Sequence, residues 1–343
     1  MNSVHIPGYL ETEDAVITAV CDIDENKVLK AAQRLGIPQD HCFNDYRELI
    51  DCDDVDVVDI ATWNSMHCEI AKYAAGKGKA FSVEKPVGMN YAEALDLAST
   101  AEAWKLPTFV CLSWRYRGYT RYVKYLIDSG KVGKLYHIYV RCIKDSGLWE
   151  GRKLEWRFDE QRAGSGVLGD LGSHMIDIVR FWGEEFKEVY AKRGTYITER
   201  ETEEIPGKIC PVTTDDWCNI LAELESGVSC TIELSRCATT IPDLMQFELY
   251  GEKGKLIFHH LSKEQYIEFV DAKTKTSEIL PVPEEFNAVQ SRSFIDLVNG
   301  KEDSYTAKIH HGLECQAVLD AALVSCNENR AVTIREIKEK AAK

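Results

Sequence analysis

The sequence lacks three patterns that would each point to a particular class of protein. It has no apolar stretch near the ~18 residues that a membrane span requires. It has no long basic run, and its net charge of −15 disfavours a nucleic-acid partner, because phosphate binding needs clustered Lys and Arg. Residues 1–14 lack the basic and apolar regions of a signal peptide. We therefore expect a cytoplasmic protein without membrane or nucleic-acid partners.

The sequence also lacks closely spaced cysteines. Twelve are present, yet no two have the C-x-x-C spacing of redox or zinc motifs. Most lie in apolar segments, such as AVITAVCDID around Cys21 and TFVCLSW around Cys111. We interpret them as reduced thiols that fill small core positions in a reducing compartment. The paired histidines His259-His260 and His310-His311 are not interpreted as metal ligands, and we expect no metal site.

The patterning predicts two domains, as expected for 343 residues. The first third alternates short apolar runs with helical patterns, which is typical of a parallel sheet with crossover helices. The predicted strands cover residues 15–21, 55–61, 79–83 and 108–112. Beyond residue 115, long alternating strands separated by turns predict an open, mainly antiparallel sheet. We predict an α/β domain over residues 1–114 and an α+β domain over residues 115–343.

Two segments at predicted strand ends carry polar residues. Glu84-Lys85-Pro86 follows a strand, so Lys85 would point into the cleft where doubly wound sheets bind ligands. The alternative is an ordinary solvated lysine. The segment ATWNSMH runs from Ala61 to His67 after another strand. Asn64 and His67 could contact a ligand there or could cap the following helix.

A third segment is rich in glycine and runs from Gly164 to Asp177 as GSGVLGDLGSHMID. Its glycines allow the backbone to approach a ligand closely. Asp170 and His174 lie four residues apart, so they would share one face of a helix that begins near Asp170. An imidazole beside a carboxylate is what a general base requires, although Asp170 could also simply cap the helix.

Taken together, these motifs resemble the family of glucose–fructose oxidoreductases, inositol dehydrogenases and rhizopine-catabolism proteins (Gfo/Idh/MocA). ATWNSMH is similar to the family's A-T-P-N-x-x-H, and VEKPVGMN to its C-E-K-P. SGVLGDLGSHMID is similar to G-G-x-L-x-D-x-G-x-H-x-x-D, and AVCDID, SWRY, EWRF and ELYGEKGKLIF match further motifs. The resemblance spans about residues 5–333. It implies a Rossmann-like N-terminal domain and a C-terminal domain for substrate binding and oligomerisation, in a homodimer or homotetramer.

The resemblance also implies how a cofactor would bind. Asp22, at the end of its strand, would accept hydrogen bonds from the adenosine ribose. Its negative charge would repel a 2′-phosphate, which favours NAD over NADP. Thr62, Asn64 and His67 would line the path to the nicotinamide, with Glu84 close by.

The implied reaction is the NAD-dependent oxidation of a ring hydroxyl in a sugar, glycoside or cyclitol. Lys85 would stabilise the reacting oxygen, His174 would take the hydroxyl proton, and Asp170 would bond a substrate hydroxyl and tune His174. The residues expected on the substrate side or between the domains are Arg115, Trp156 and Arg157. Two alternatives stay open: redox-neutral glycoside cleavage through a transient 3-keto intermediate, and a cofactor-free binding or subunit protein of the same fold.

Two features depart from the family pattern. The fingerprint G-x-G-x-x-G should precede the ribose-binding acid by about 20 residues, and counting back from Asp22 reaches Met1 without finding it. Either the recorded chain starts at an internal methionine, or the first strand and its Gly-rich phosphate loop are truly missing. The second departure is Trp63 in place of the usual proline, which puts a large ring near the expected channel.

Overall fold

The N-terminal part contains two small parallel sheets. A computed structural model describes residues 4–203, 205–301 and 303–342. Strand β1 (Val20–Cys21) pairs with β2 (Cys42–Phe43), while β3 (Val57–Ile60), β4 (Ala80–Val83) and β5 (Thr108–Val110) form the second sheet in that order. The associated helices are α1 (His5–Leu10), α2 (Glu25–Leu35), α3 (Tyr46–Asp51), α4 (His67–Gly76) and α5 (Tyr91–Trp104).

The two parallel sheets are not joined to each other. No strand pairs with both β1 and β3 among the described residues, which leaves a gap between the sheets. The apolar run over residues 15–21 was predicted to be a strand throughout, but only Val20 and Cys21 are paired. A strand is recognised by its hydrogen-bonded neighbour. Residues 15–19 therefore run beside the gap without regular pairing.

The C-terminal part is an open sheet of nine strands, as predicted. It contains β6 (Leu135–Ile143), β7 (Phe186–Gly194), β10 (Trp217–Leu224), β11 (Ser229–Ser235), β12 (Leu244–Gly251), β13 (Gly254–Leu261), β14 (Glu264–Asp271), β15 (Ser277–Leu280) and β16 (Val332–Thr333). The spatial order is β15-β14-β13-β12-β6-β11-β10-β7-β16, with β6 and β11 parallel and the other pairs antiparallel. A separate hairpin is formed by β8 (Glu199–Glu201) and β9 (Ile209–Pro211).

Helices cover one face of the large sheet. They are α6 (Gly118–Asp128), α8 (Ser173–Trp182), α10 (Ile309–Glu328) and α11 (Ile334–Ala341). Two other helices pack elsewhere: α7 (Glu160–Ala163) contacts the turn Asn64–Met66, and α9 (Gln290–Val298) contacts α1. The covered face contributes alternate residues such as Ile138, Val140 and Cys142 to a continuous core, because successive strand side chains point to opposite faces. Ala307 and Ile309 instead join the core of the parallel sheet. The segment that leads into α10 therefore ties the two parts together.

All twelve cysteines are free thiols, and none is in the exposed class. Their distribution agrees with the interpretation of small core residues rather than disulfides. No helix in the described part of the chain has the length and apolarity needed to cross a membrane.

Candidate active site

Lys85 lies at the carboxyl end of the central strand β4. All four residues of that strand are buried, as expected for a strand covered on both faces. The chain leaves the sheet at Glu84, and the Lys85 ammonium donates hydrogen bonds to the Asp170 backbone oxygen (2.7 Å) and to Asp170 Oδ1 (3.0 Å). Only 12% of the Lys85 side chain is exposed. The structure thus joins two motifs that are far apart in sequence.

Asp170 lies in a π-helical turn, Leu168–Gly172, that runs directly into α8. We expected an α-helix that begins near Asp170, with Asp170 as its possible cap; Ser173, three residues further on, is the other residue type in this segment that commonly caps helices. The structure differs, because neither side chain makes a capping hydrogen bond there. π-Turns are rare and recur at functional sites.

Asp215 fixes the entry to this π-turn, and the sequence interpretation missed it. Its carboxylate accepts hydrogen bonds from the backbone N–H groups of Gly166 (2.8 Å) and Leu168 (2.9 Å). A Cβ on Gly166 would overlap the Asp215 carbonyl oxygen, so glycine is required at this close approach. The sequence signal was the pair Asp215-Asp216 directly before an apolar strand, where buried carboxylates need partners.

The surrounding charges and burial keep Asp170 ionised and His174 uncharged. Although burial opposes ionisation, the positive charges of Lys85, Lys144 and Arg157 hold the pKa of the Asp170 carboxyl well below its usual value. Burial, helped by the charge of Lys85, lowers the pKa of His174 to about 3. The imidazole is therefore neutral at physiological pH and able to accept a proton.

His174 keeps an available ring nitrogen. Its Nδ1 is buried and has no hydrogen-bond partner within the described residues. The negative charge of Asp170 opposes the lowering of the His174 pKa. Within the described residues, no hydrogen bond joins the Asp170 and His174 side chains. A buried polar atom without a partner is uncommon in proteins and can mark a functional group.

Behind Lys85 lies a second charge cluster that the sequence interpretation did not find. Glu84 accepts a hydrogen bond from the Lys85 backbone N–H (3.0 Å), and its other oxygen contacts His5 Nε2 (2.9 Å). The Nδ1 atom of His5 contacts Asp59 (2.8 Å). Burial would raise the pKa of Glu84, but the His5 hydrogen bond and the Lys85 charge lower it to about 2. Glu84 is thus an ionised carboxylate anchored from behind. His5 comes from α1 and has no local sequence signal.

A cavity of about 970 Å³ opens beside these residues and is here called the strand-end cavity. It extends from the gap between the two parallel sheets to the Lys85–Asp170 pair, and Asp22, Thr62 and Asn64 are among its lining residues. Asp22 uses Oδ1 to accept the Asp24 N–H (2.9 Å). Asn64 also donates to the Ala163 carbonyl oxygen (2.9 Å), which links the strand end to the C-terminal part.

His67 is placed differently from the other predicted cofactor residues. It is fully buried, is absent from the cavity lining, and contacts the carbonyl oxygens of Pro86 (2.8 Å) and Thr62 (3.3 Å). Burial lowers its pKa. His67 therefore ties the turn after Lys85 to the end of β3, which positions other residues rather than a ligand.

The three predicted substrate-side residues fall into two groups. Trp156 and Arg157 line the strand-end cavity together with Lys85. Arg115 is 3% exposed and makes a two-pronged ion pair with Asp177 (2.6 and 2.7 Å). It does not line the cavity, and its partner Asp177 lies on α8 of the same C-terminal part, so the ion pair holds α8 rather than a ligand.

Two groups of described residues have an arrangement compatible with a metal ion: His5, Glu84 and Cys111, and His41, Cys52 and Asp54. In both groups the histidine already contacts carboxylates through its two ring nitrogens. Those contacts account for the clusters without a metal.

The strand-end cavity fits the two ends of a dinucleotide. Asp22 lies at the end of β1, where a carboxylate that binds the adenosine ribose is expected. Thr62 and Glu84 lie toward Lys85, where the nicotinamide ring would be bound. A pocket of this size is adequate for a cofactor. Among the described residues that line the cavity, Gly166 is the only glycine, so no glycine-rich turn lines it there. Trp63 does line it, with Arg162 stacked on its ring at 4.3 Å.

Comparison with known proteins places these features in a family. Residues 1–110 match a profile described as an oxidoreductase family with an NAD-binding Rossmann fold, and residues 120–257 match the GFO/IDH/MocA C-terminal domain. Levoglucosan dehydrogenase of Pseudarthrobacter phenanthrenivorans is 28% identical over 72% of this chain and 65% of its own length. Glucose-6-phosphate 3-dehydrogenase of Bacillus subtilis is 28% identical over 86% of this chain and 83% of its own length.

Solved structures agree along nearly the whole chain. An oxidoreductase domain protein from Kribbella flavida superposes with a TM-score of 0.87 at 26% identity, covering 97% of this chain and 96% of that one. A levoglucosan dehydrogenase in complex with NADH gives a TM-score of 0.83 at 25% identity, covering 96% of this chain and 93% of that one. The predicted family and fold are confirmed: the chain belongs to the Gfo/Idh/MocA oxidoreductases, a family of NAD-binding dehydrogenases.

Proposed function

We propose that this protein oxidises a ring hydroxyl of a sugar, glycoside or cyclitol, with NAD as the oxidant. The observation that carries the proposal is the pairing of Lys85 with Asp170 at the end of the strand-end cavity. The charges of both act on His174, which does not itself line that cavity. An ammonium held in place and a neutral imidazole are what alcohol oxidation needs from a protein. Relatives named for levoglucosan, glucose 6-phosphate and myo-inositol support the substrate class.

In this proposal the side chains divide the work on the hydroxyl. NAD, when bound, supplies the acceptor for the two electrons and the hydrogen of the C–H bond. Lys85 donates a hydrogen bond to the substrate oxygen and stabilises its negative charge as the bond to hydrogen weakens. His174 takes the hydroxyl proton at a ring nitrogen, since it is neutral at physiological pH. Asp170 holds the Lys85 ammonium through a hydrogen bond, and it can accept a second hydrogen bond from a neighbouring hydroxyl of the substrate.

The proposed cofactor contacts follow from the lining of the cavity. Asp22, with one carboxylate oxygen occupied by the Asp24 N–H, would use the other to bind the ribose. Its charge supports NAD over NADP. Thr62, Asn64 and Glu84 would face the reacting end, while His67 would keep the turn after Lys85 in place.

We also propose a cytoplasmic homo-oligomer. Twelve free cysteines suit a reducing compartment. The uncovered face of the nine-stranded sheet exposes apolar side chains, among them Tyr139 (48%) and Leu221 (57%). Pairing of two such faces would cover them. Sedimentation analysis would test this, and a monomer at micromolar concentration would contradict it.

The test of the reaction is substitution of the two central groups. Lys85→Met is expected to lower kcat about 10²- to 10³-fold, and His174→Gln about 10²- to 10⁴-fold, with NAD affinity little changed. Lys77→Met is the matched control, because Lys77 follows α4, pairs with Asp51 at the surface and does not line the cavity. Turnover would be followed as NADH formation and NAD binding by calorimetry. Near-normal kcat in either variant would contradict the assigned roles.

The same assays separate the alternatives. Net NADH formation during turnover supports a dehydrogenase. Product formation from a glycoside without net NADH would indicate the redox-neutral reaction, which would use the same Lys85, Asp170 and His174. A folded protein that binds no NAD would support the cofactor-free binding protein.

A further inference from the structure

Positive charge is concentrated at the substrate end of the strand-end cavity, in a chain whose net charge is −15. Three cations contribute besides Lys85: Lys144, Arg157 and Arg117. The charges of Lys144 and Arg157 act on Asp170, and that of Arg117 acts on His174. A cleft lined by charges of one sign attracts ligands of the opposite sign.

Arg157 lines the cavity, and no carboxylate lies close enough to neutralise most of its positive charge. It lines the cavity with Lys85 and Asp170, and 44% of its side chain is exposed. Its guanidinium lies over the Trp156 ring at 4.4 Å. The nearest carboxylate is Glu155 at 3.9 Å, and that group is already bound by Arg152 at 3.0 Å. The stacked, planar guanidinium is therefore free to bind an anion in a two-pronged way.

Lys144 is brought to the same end by strand register. β6 and β11 pair in parallel through Ile143 and Ser235, and the pairing continues in the hydrogen bond from the Lys144 N–H to the Ser235 oxygen (2.9 Å). Alternation puts Lys144 on the face of Cys142, which is the buried face. Leu234, beside Cys142, approaches Gly172 of the π-turn. Lys144 thus lies on the sheet face that bears the π-turn, where its charge acts on Asp170, although it is not among the residues that line the cavity. It makes no ion pair in the part of the chain described.

Arg117 adds a third cation near His174. Its guanidinium lies 3.7 Å from the centre of the Trp114 ring and donates to the Tyr119 hydroxyl (2.9 Å). No carboxylate pairs with it across the described ranges. The charge of Asp243 raises the pKa of Tyr119, but the Asp243 carboxylate pairs with another residue: its Oδ2 lies 3.8 Å from His260 Nε2.

Nearby arginines show the contrast. Arg236 lines the cavity but is neutralised by Asp216 at 2.6 Å, and Arg193 faces Asp215 at 3.4 Å. Arg236 thus has a close buried carboxylate partner, whereas Arg157, which lines the same cavity, has only the 3.9 Å contact with Glu155. This is the arrangement expected when a substrate supplies the missing negative charge.

We propose that the natural substrate is a polyhydroxylated ring that carries an anionic group, a carboxylate or a phosphate, bound by Arg157 and Lys144. The inference rests on the proposed function and narrows its substrate class. Arg157 would clamp two anion oxygens while its stack on Trp156 supports the adjacent ring. Lys144 would add a point charge, and Arg117 would strengthen the local field.

The test is calorimetric titration of D-glucuronate, D-glucose 6-phosphate and D-glucose, with and without NADH. We expect at least one anionic ligand to bind about tenfold tighter than D-glucose, since a hydrogen bond to a charged group contributes on the order of one tenfold step or more. The better anion identifies the carboxylate or the phosphate. Anion affinity should fall with added salt, whereas D-glucose affinity should not.

Charge-neutralising variants locate the effect. Arg157→Gln and Lys144→Gln should each lower the ratio of anion affinity to D-glucose affinity about tenfold. Arg335→Gln is the control, because Arg335 is 85% exposed on α11 and pairs with Glu339. Neutral and anionic ligands that bind alike, or no anion binding at all, would overturn the proposal. So would a loss of NAD affinity in Arg157→Gln with unchanged sugar preference, which would assign that cation to the cofactor.

The two proposals fail in different ways. Absence of NAD binding and of NADH formation with every ligand would remove the proposed function. The anion-to-neutral affinity ratio is measured without cofactor, so it judges the charge cluster by itself.

Discussion

His5 provides a stability test of the charge cluster behind Lys85. Burial alone would lower the pKa of its imidazole, but the hydrogen bonds and charges of Asp59 and Glu84 raise it from 6.5 to about 9. The folded protein therefore holds an imidazolium that is only 5% exposed. Replacing it by Gln in His5→Gln removes the positive charge and leaves two carboxylates facing each other across the site.

The size and sign of the effect follow from linkage. Each pH unit between the folded and unfolded pKa values corresponds to about 1.4 kcal/mol. Because the folded pKa of His5 is the higher one, its contribution is fully present below pH 6.5 and is lost as the pH rises through about 9. The imidazolium thus contributes about 3 kcal/mol near pH 6.5 and about 1.4 kcal/mol at pH 8. The low pKa of Glu84 reflects the same contact and is not added.

The assay is urea denaturation of the wild type and His5→Gln between pH 6 and pH 10. The difference in the free energy of unfolding should shrink by about 2–3 kcal/mol across this range. His259→Gln serves as the control, since His259 stacks on Tyr266 on the large sheet and has no carboxylate partner among the described residues. A difference that does not change with pH would show that the His5 imidazole is uncharged, and the account of the cluster would then be wrong.

Three further predictions concern other parts of the site. Arg115→Met should lower the free energy of unfolding by about 3–5 kcal/mol, because it leaves the Asp177 carboxylate buried and unpaired; a loss below 1 kcal/mol in urea denaturation would contradict this. Gly166→Ala should reduce kcat about 10²-fold, because the new Cβ collides with the Asp215 carbonyl and displaces the π-turn; unchanged kinetics would show that the turn adapts. Asp22→Ser should improve NADP affinity about tenfold by removing a negative charge; calorimetry with both cofactors would check this, and an unchanged NADP-to-NAD ratio would place the adenosine ribose elsewhere.

Local patterns in the sequence predicted much of the fold. The strands predicted over residues 79–83 and 108–112 are found as Ala80–Val83 and Thr108–Val110, and the long strands expected beyond residue 115 begin with Leu135–Ile143, because alternation and turn signals act over a few neighbouring residues. The first predicted strand was too long. Its apolar pattern is intact, but β pairing needs a neighbour, and that neighbour is not a local property of the pattern.

The motifs also indicated which residue types gather at the site, although not their individual contacts. Lys85, Asp170 and His174 were identified from their motifs, and the placement of Lys85 against Asp170 follows from the end of a buried strand. His5 and Lys144 carried no such signal, and the only signal for Asp215 was its place beside Asp216 directly before an apolar strand. Their partners lie between 26 and 80 positions away in sequence.

The sequence by itself determined the secondary structure, the family and the chemical groups available for catalysis, since these depend on local periodicity and motif order. Only the tertiary structure decided how those groups are charged and directed. It buried Arg115 against Asp177 rather than toward substrate, and it left Arg157 open to the cavity. The reason is that burial and the distance between charges are set by packing between distant segments, and those two quantities fix the pKa values and the binding properties of a site.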